Sequence, residues 1–147
     1  MLDAAAQRIL REALLATGPV GEHLGDGGNK WGGGVFALGK VFCAPGQANR
    51  VLVFDPATDA SRQIGPNLGA GERKWMNNGA TGPDGCIYFA PCSAKTVLCI
   101  NPVTEEVSTI TIDGMQPSSN MFFGCVCHHD GYIYALPACA AADLTQH

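Results

Sequence analysis

At 147 residues, 46% of them hydrophobic, the chain is about one domain long and has the apolar content to bury a core. Charged residues at only 15% and glycine at 19 positions exclude a coiled coil and argue against a solvated, disordered chain. Nine Lys and Arg against 13 Asp and Glu leave a net charge of −4, so there is no basic field for phosphates and no nucleic acid is expected as a partner.

In chain order the first expected element is a short amphipathic α-helix over residues 1–17. Leu2, Ala6, Ile9, Ala13 and Ala16 recur at helical spacing, and Gly18-Pro19 ends the run. Two roles fit it, a cap over the edge of the first repeat and a docking helix for a partner; the cap is preferred, because terminal units of repeat proteins need covering. Asp3, Arg8, Arg11 and Glu12 interrupt the apolar stretch that a secretory signal would need, and no apolar run reaches the roughly 18 residues of a membrane span. Neither a signal nor a membrane span is expected.

Next comes Gly25-Asp-Gly-Gly-Asn-Lys30-Trp-Gly-Gly-Gly34, which has the glycines and the lysine of a phosphate loop. It lacks Gly-Lys-Ser/Thr and leads into a strand, so no helix N-terminus is offered to an anion. The expected role is a flexible connection that lets two backbones approach closely.

From residue 24 to 141 the sequence repeats. Gly39-Lys-Val-Phe-Cys-Ala-Pro45, Gly85-Cys-Ile-Tyr-Phe-Ala-Pro91 and Gly131-Tyr-Ile-Tyr-Ala-Leu-Pro137 follow one another at a spacing of 46 residues. Val51-Leu-Val-Phe-Asp-Pro-Ala-Thr58 returns at the same offset as Val97-Leu-Cys-Ile-Asn-Pro-Val-Thr104, and Lys30-Trp31 returns as Lys74-Trp75 after 44. Branched and aromatic runs bounded by Gly and Pro predict strands, in the second unit over 78–82, 86–90, 96–100 and 106–112. Residues 51–54 are apolar on both faces, as a doubly covered strand is, whereas Thr109-Ile110-Thr111-Ile112 alternates as a strand with one buried face does. Units of four short antiparallel strands at this period predict an all-β partial propeller of about two and a half blades, starting near 30, 74 and 120, with the third incomplete.

The wording Gly-x-Ile-Tyr-Phe-Ala-Pro followed by Val-Leu-x-Ile-Asn-Pro-x-Thr resembles the kelch-like and streptogramin-lyase-like propeller repeats more than the WD40 repeat, whose Gly-His and Trp-Asp signatures are absent. The lyase-like resemblance implies His and Glu acting with Mg²⁺, yet the only histidines in the blade region are the adjacent pair His128 and His129. No motif residue carries over.

Candidate sites are few. Asp55-Pro56-x-Thr58 and Asn101-Pro102-x-Thr104 offer oxygens to a cation, but Asx followed by Pro is better explained as a turn. Cys125-Val-Cys127-His128-His129 gathers soft ligands for Zn²⁺ without a zinc-finger spacing, on what aligns with the hairpin turn Gly82–Gly85, so a turn with two solvated histidines is preferred. Lys30, Trp31, Lys74 and Trp75, with Asn77 and Asn78, enter the first strand of each blade and share a face with the Pro45-x-x-Ala48 and Pro91-x-x-Ala94 loops. They are the candidate surface for a ligand or partner; the competing role for the tryptophans is packing between blades. No catalytic residue, metal ligand or cofactor is expected. The odd count of seven cysteines, several in apolar strands, reads as reduced core filler in the cytoplasm or another reducing compartment. The expected function is a non-enzymatic binding or scaffolding module, a fragment of a longer propeller or one completed by another chain, with a protein partner or self-association through open blade edges. The alternative is a divergent propeller enzyme such as a divalent-metal-dependent lyase.

Overall fold

The structure is a computed structural model that describes residues 24–114 and 120–138. The helix expected over 1–17, the end of the repeat region at 139–141 and Cys139 lie outside the described residues. Within them the chain is all-β, with three antiparallel sheets. The first holds β1 (Trp31–Ala37), β2 (Lys40–Pro45), β3 (Val51–Asp55) and β4 (Ala60–Ile64), in that order. The second repeats the order with β5 (Ala80–Thr81), β6 (Ile87–Phe89), β7 (Thr96–Ile100) and β8 (Val107–Thr111), and the third is the pair β9 (Phe122–Cys127) and β10 (Ile133–Pro137). No helix of the described residues is long and apolar enough to cross a membrane.

Each connection follows from local chemistry. Asp55 accepts the Ala57 N–H at 2.9 Å, and Asn101 accepts those of Val103 and Thr104 at 2.9 and 3.2 Å, so both Asx-Pro sequences are turns that tie off a hairpin. In the β9–β10 hairpin the Gly131 N–H donates to His128 O at 3.0 Å, the same bond that Gly85 makes to Gly82.

The core lies between the first and second sheets. Register puts Phe42 opposite Val53 and Val51 opposite Ile64, so these side chains share one face. They pack with Ala44 against Ile87, Phe89, Leu98, Ile100 and Val107 of the second sheet. Phe42, Val51, Ile87, Phe89, Leu98 and Ile100 are fully enclosed. Each contributes roughly 1.5–3 kcal/mol relative to exposure.

The outer strand β8 departs from its expected pattern. Val107 is buried against the first sheet, but Ile110 and Ile112, which point the other way, remain 45% and 44% exposed. Ile110 pairs with Val97, on the face turned toward the third sheet, which has only two strands among the described residues and does not reach it.

A backbone chain of hydrogen bonds crosses all three sheets. Lys30 O accepts Gly46 N–H at 2.8 Å, Gly46 O accepts Lys74 N–H at 3.4 Å, Lys74 O accepts Cys92 N–H at 2.9 Å, Cys92 O accepts Met121 N–H at 2.8 Å, and Met121 O accepts Ala138 N–H at 2.9 Å. Each link joins the entry of a first strand to the loop after a second strand, alternately within a unit and between units. Each link fixes one loop to the next, so the loops on this face are held as a set. The residue before each entry, Asn29, Arg73 and Asn120, has φ of 55°, 53° and 57°. That left-handed conformation costs an ordinary side chain about 1–2 kcal/mol.

On the opposite side Glu105 binds both Lys40, at 3.1 Å, and Arg62, tying the second sheet to the first. The Arg62 hydrogen bond, and then that of Lys40, hold the Glu105 carboxyl below its ordinary pKa. A carboxylate with a depressed folded pKa stabilises fully above its unfolded value, about 4.3, and loses that contribution as pH falls through the folded one. The pair is partly exposed, so the effect is at most about 1 kcal/mol. Glu105→Gln should therefore lower the urea midpoint at pH 7 and leave it unchanged at pH 2.5; equal losses at both pH values would assign the effect to packing.

Candidate functional site

The residues singled out at the strand entries divide into two groups. Lys30 and Trp31 line a groove of about 370 Å³ and mixed polarity with Asp26, Gln47, Asn49 and Gln63. Trp31 is half-buried and donates its indole N–H to Arg50 O at 2.9 Å, while Lys30 Nζ donates to Leu24 O at 2.9 Å. Both side chains thus have their polar atoms fixed by backbone carbonyls at the groove wall.

Lys74 and Trp75 occupy the equivalent positions of the second unit but are 6% and 3% exposed. Trp75 repeats the indole bond, to Thr96 O at 2.7 Å, and belongs to the core cluster. Lys74 Nζ reaches back to the first unit, donating to Ala48 O at 3.0 Å as well as to Gly71 O at 3.4 Å. Burial lowers its pKa. The two tryptophans differ because the first sheet covers Trp75, and no described sheet stands in that relation to Trp31.

Asn77 and Asn78 lie between the second and third sheets. Asn77 Nδ2 donates to Phe122 O at 2.7 Å; Asn78 O accepts the Cys125 N–H at 3.2 Å, and Asn78 forms a parallel bridge with Gly124. In the third unit Met121 and Phe122 take the places of Lys and Trp: Met121 O accepts from Ala138 as Lys74 O accepts from Cys92, and Phe122 pairs with Pro137 as Trp31 pairs with Pro45. Sequence comparison passed over this pair because neither residue type is retained.

The glycine loop is more ordered than a flexible connection. Gly32, Gly33 and Gly34 are part of β1, and Gly33 N–H donates to Met76 O at 2.9 Å. A Cβ at Gly32 would stand 2.2 Å from that same oxygen. The close backbone approach expected of the loop is made here, between the first and second units.

A second concavity, about 530 Å³ and mainly apolar, opens between the second and third sheets. Tyr88, Ala90, Val97 and Ile112 form one wall, and Cys125, Ile133 and Ala135 contribute to the other. At its rim the Tyr88 hydroxyl donates to Asp84 Oδ2 at 2.7 Å, and Asp84 Oδ1 accepts the Cys86 N–H at 3.1 Å. The next unit copies the arrangement: Tyr134 donates to Asp130 Oδ2 at 2.8 Å, and Asp130 Oδ1 accepts the Tyr132 N–H at 2.9 Å. The Tyr88 bond draws the Asp84 carboxyl below its usual pKa, and the same bond raises the Tyr88 phenol. Sequence analysis did not single out these pairs, although Asp-Gly-x-Ile-Tyr recurs at 84–88 and 130–134.

His128 and His129 sit on the turn, with ring centroids 3.8 Å apart and His128 Nδ1 2.9 Å from Asp130 Oδ2. Cys125 is buried and turned toward Tyr88 O at 3.3 Å, whereas Cys127 is exposed. Among the described residues no group of three His, Cys, Asp or Glu side chains converges as a metal site. Six cysteines are described and all are free thiols; burial raises the pKa of Cys43 and Cys125.

No family model and no curated protein matches the chain. Among solved structures it is similar to the crystal structure of virginiamycin B lyase from Staphylococcus aureus, a β-propeller, with a TM-score of 0.60 and 13% identity over 78% of this chain. The chain spans 36% of the length of that protein. At this identity the likeness is one of fold, and it places the three antiparallel sheets in a propeller-like arrangement.

Proposed function

We propose that the chain is a non-enzymatic binding or scaffolding module with kelch-like or lyase-like repeats, one that presents the loops of one propeller face and is completed by further sequence or by another chain. The observation that supports this most directly is the apolar surface on the far side of the third sheet. Tyr134, Leu136 and Val126 are 47–50% exposed there, and Ile110 and Ile112 are exposed separately, on the face of the second sheet that borders the cleft. Extended apolar surface with an open strand edge is a site for other chains. The groove at Lys30 and Trp31 supplies a second, more polar contact surface, bounded by loops that the backbone hydrogen-bond chain holds in place. In this reading the contact surface is built by Lys30, Trp31, Lys74, Trp75, Asn77 and Asn78, with the half-buried pair Lys30 and Trp31 as the contacting residues and the others as their support.

Light scattering at micromolar concentration tests the reading: a dimer or larger assembly is expected, and a well-dispersed monomer with cooperative unfolding would overturn self-association. The competing reading, a divergent lyase using a divalent cation, draws support from the fold shared with the Staphylococcus aureus enzyme. Turnover of a propeller-lyase substrate that is lost on His128→Ala or His129→Ala would decide for it.

A further inference from the structure

One face of the second sheet carries two thiols that the repeat does not ask for. Cys86 directly precedes β6, two residues before Tyr88, and so shares its face. Tyr88 pairs with Cys99 and Ile87 with Ile100, which makes Cys86 and Cys99 diagonal neighbours across the β6–β7 pair. The Cys86 thiol interacts with the Asp84 carboxylate and with the Cys99 thiol, and Cys99 interacts in turn with the Tyr88 hydroxyl. Both cysteines are half-buried. In the first unit, 46 residues earlier, the same places hold Lys40 and Val53. A unit of this type therefore needs no thiol at either position, and core filling, which accounts for the buried Cys92 and Cys125, does not account for the pair.

Three ordinary roles of a thiol pair fail here. Diagonal neighbours stand about 7–8 Å apart at Cα, beyond the roughly 7 Å that a disulfide spans without backbone movement. Burial, followed by the Asp84 hydrogen bond and charge, pushes the Cys86 thiol up to about 11, so at neutral pH it is protonated and a weak nucleophile. Zn²⁺ takes four ligands, and among the described residues no group of three His, Cys, Asp or Glu side chains converges. We propose that Cys86 and Cys99 hold one Cu(I) ion between their two sulfurs as a linear bridge across β6 and β7. Cu(I) is a soft ion with a filled d shell; it selects thiolates and accepts two of them in line. Two metal–sulfur bonds of about 2.3 Å each reach more than twice as far as an S–S bond of about 2.0 Å, which suits diagonal neighbours where a disulfide does not. Each thiol releases its proton to water as its sulfur binds, so two neutral thiols and Cu(I) give a complex of charge −1 and two protons, with no change of oxidation state. The Asp84 carboxylate keeps its bond to the Tyr88 hydroxyl, at 2.7 Å, and as a hard oxygen donor takes no part in the coordination. Both ligands and both strands belong to one sheet, so the site needs no other chain.

The test is anaerobic titration of the full chain with Cu(I) against a chromophoric Cu(I) chelator, followed by X-ray absorption at the copper edge. One equivalent should be held more tightly than any further copper, with two sulfur neighbours and no nitrogen or oxygen. Cys86→Ser and Cys99→Ser should each weaken that equivalent at least about 100-fold, the upper end of what removing a group behind a ligand costs. Cys127→Ser, which changes an exposed thiol of β9, should leave it unchanged. An equal concentration of Zn²⁺ should not displace the copper. Urea midpoints of the copper-free variants separate loss of a ligand from loss of the fold; if a serine variant does not fold, the coordination number measured on the unaltered chain still decides. No equivalent held against the chelator, retention in both Cys86→Ser and Cys99→Ser, loss in Cys127→Ser, three- or four-coordinate copper, or displacement by Zn²⁺ would each overturn the site.

Discussion

Trp75→Ala is expected to destabilise the chain by about 3–5 kcal/mol, the range for removing a buried tryptophan. The side chain is 3% exposed and packs in the cluster that joins the first two sheets, and its indole N–H satisfies Thr96 O at 2.7 Å. Truncation leaves a cavity and an unpaired carbonyl at the start of β7. Total stabilities of domains this size are 5–15 kcal/mol, so the variant stands to lose a large part of its folded population. Trp75→Phe keeps most of the apolar volume and removes only the hydrogen bond, at about 1 kcal/mol plus some loss of packing, so it should fold and be measurable if the alanine variant does not. Urea midpoints give both values. Trp31→Ala, at the equivalent but half-exposed position, should cost clearly less, and equal costs would show that the two positions are covered alike.

Gly32→Val is the second change with a large expected effect. A Cβ at this position would lie 2.2 Å from Met76 O and 2.4 Å from Met76 C and Cα, all backbone atoms that no rotamer change can move aside. The first and second sheets must separate locally, which puts at risk the Gly33 N–H to Met76 O bond and the core beneath it. A cost of about 3 kcal/mol or more is expected, at the upper end for overpacking. Gly28→Ala is the control: it is exposed, with nothing within 4 Å of the added atom, and should stay within about 0.5 kcal/mol. The Gly32 variant should melt at lower temperature and lose cooperativity between the sheets; a melting curve matching that of Gly28→Ala would mean that the two backbones do not approach as described.

Both effects concern residues that the sequence marks and the neighbouring sheet gives a purpose. The repeat, the four-strand order of each full unit, the Asx-Pro turns at Asp55 and Asn101, and the doubly apolar strand at 51–54 were legible in the chain because each depends on local chemistry: alternation, turn residues and β-branched content. Burial does not follow from a residue's own repeat. Trp31 and Trp75 are preceded by the same lysine and make the same indole bond, yet only Trp75 is enclosed, because the surface that covers it belongs to the unit before. Ile110 alternates as a buried residue would and is exposed, and among the described residues no strand of the third sheet extends to it. The reach of Lys74 Nζ to Ala48 O and the backbone chain from Lys30 to Ala138 likewise join groups distant along the chain. The sequence by itself determined the repeating unit and its turns; the tertiary structure decided which copies of each repeated side chain are enclosed and where an apolar cleft stays open, since enclosure is a property of two packed sheets and a repeat specifies only one of them.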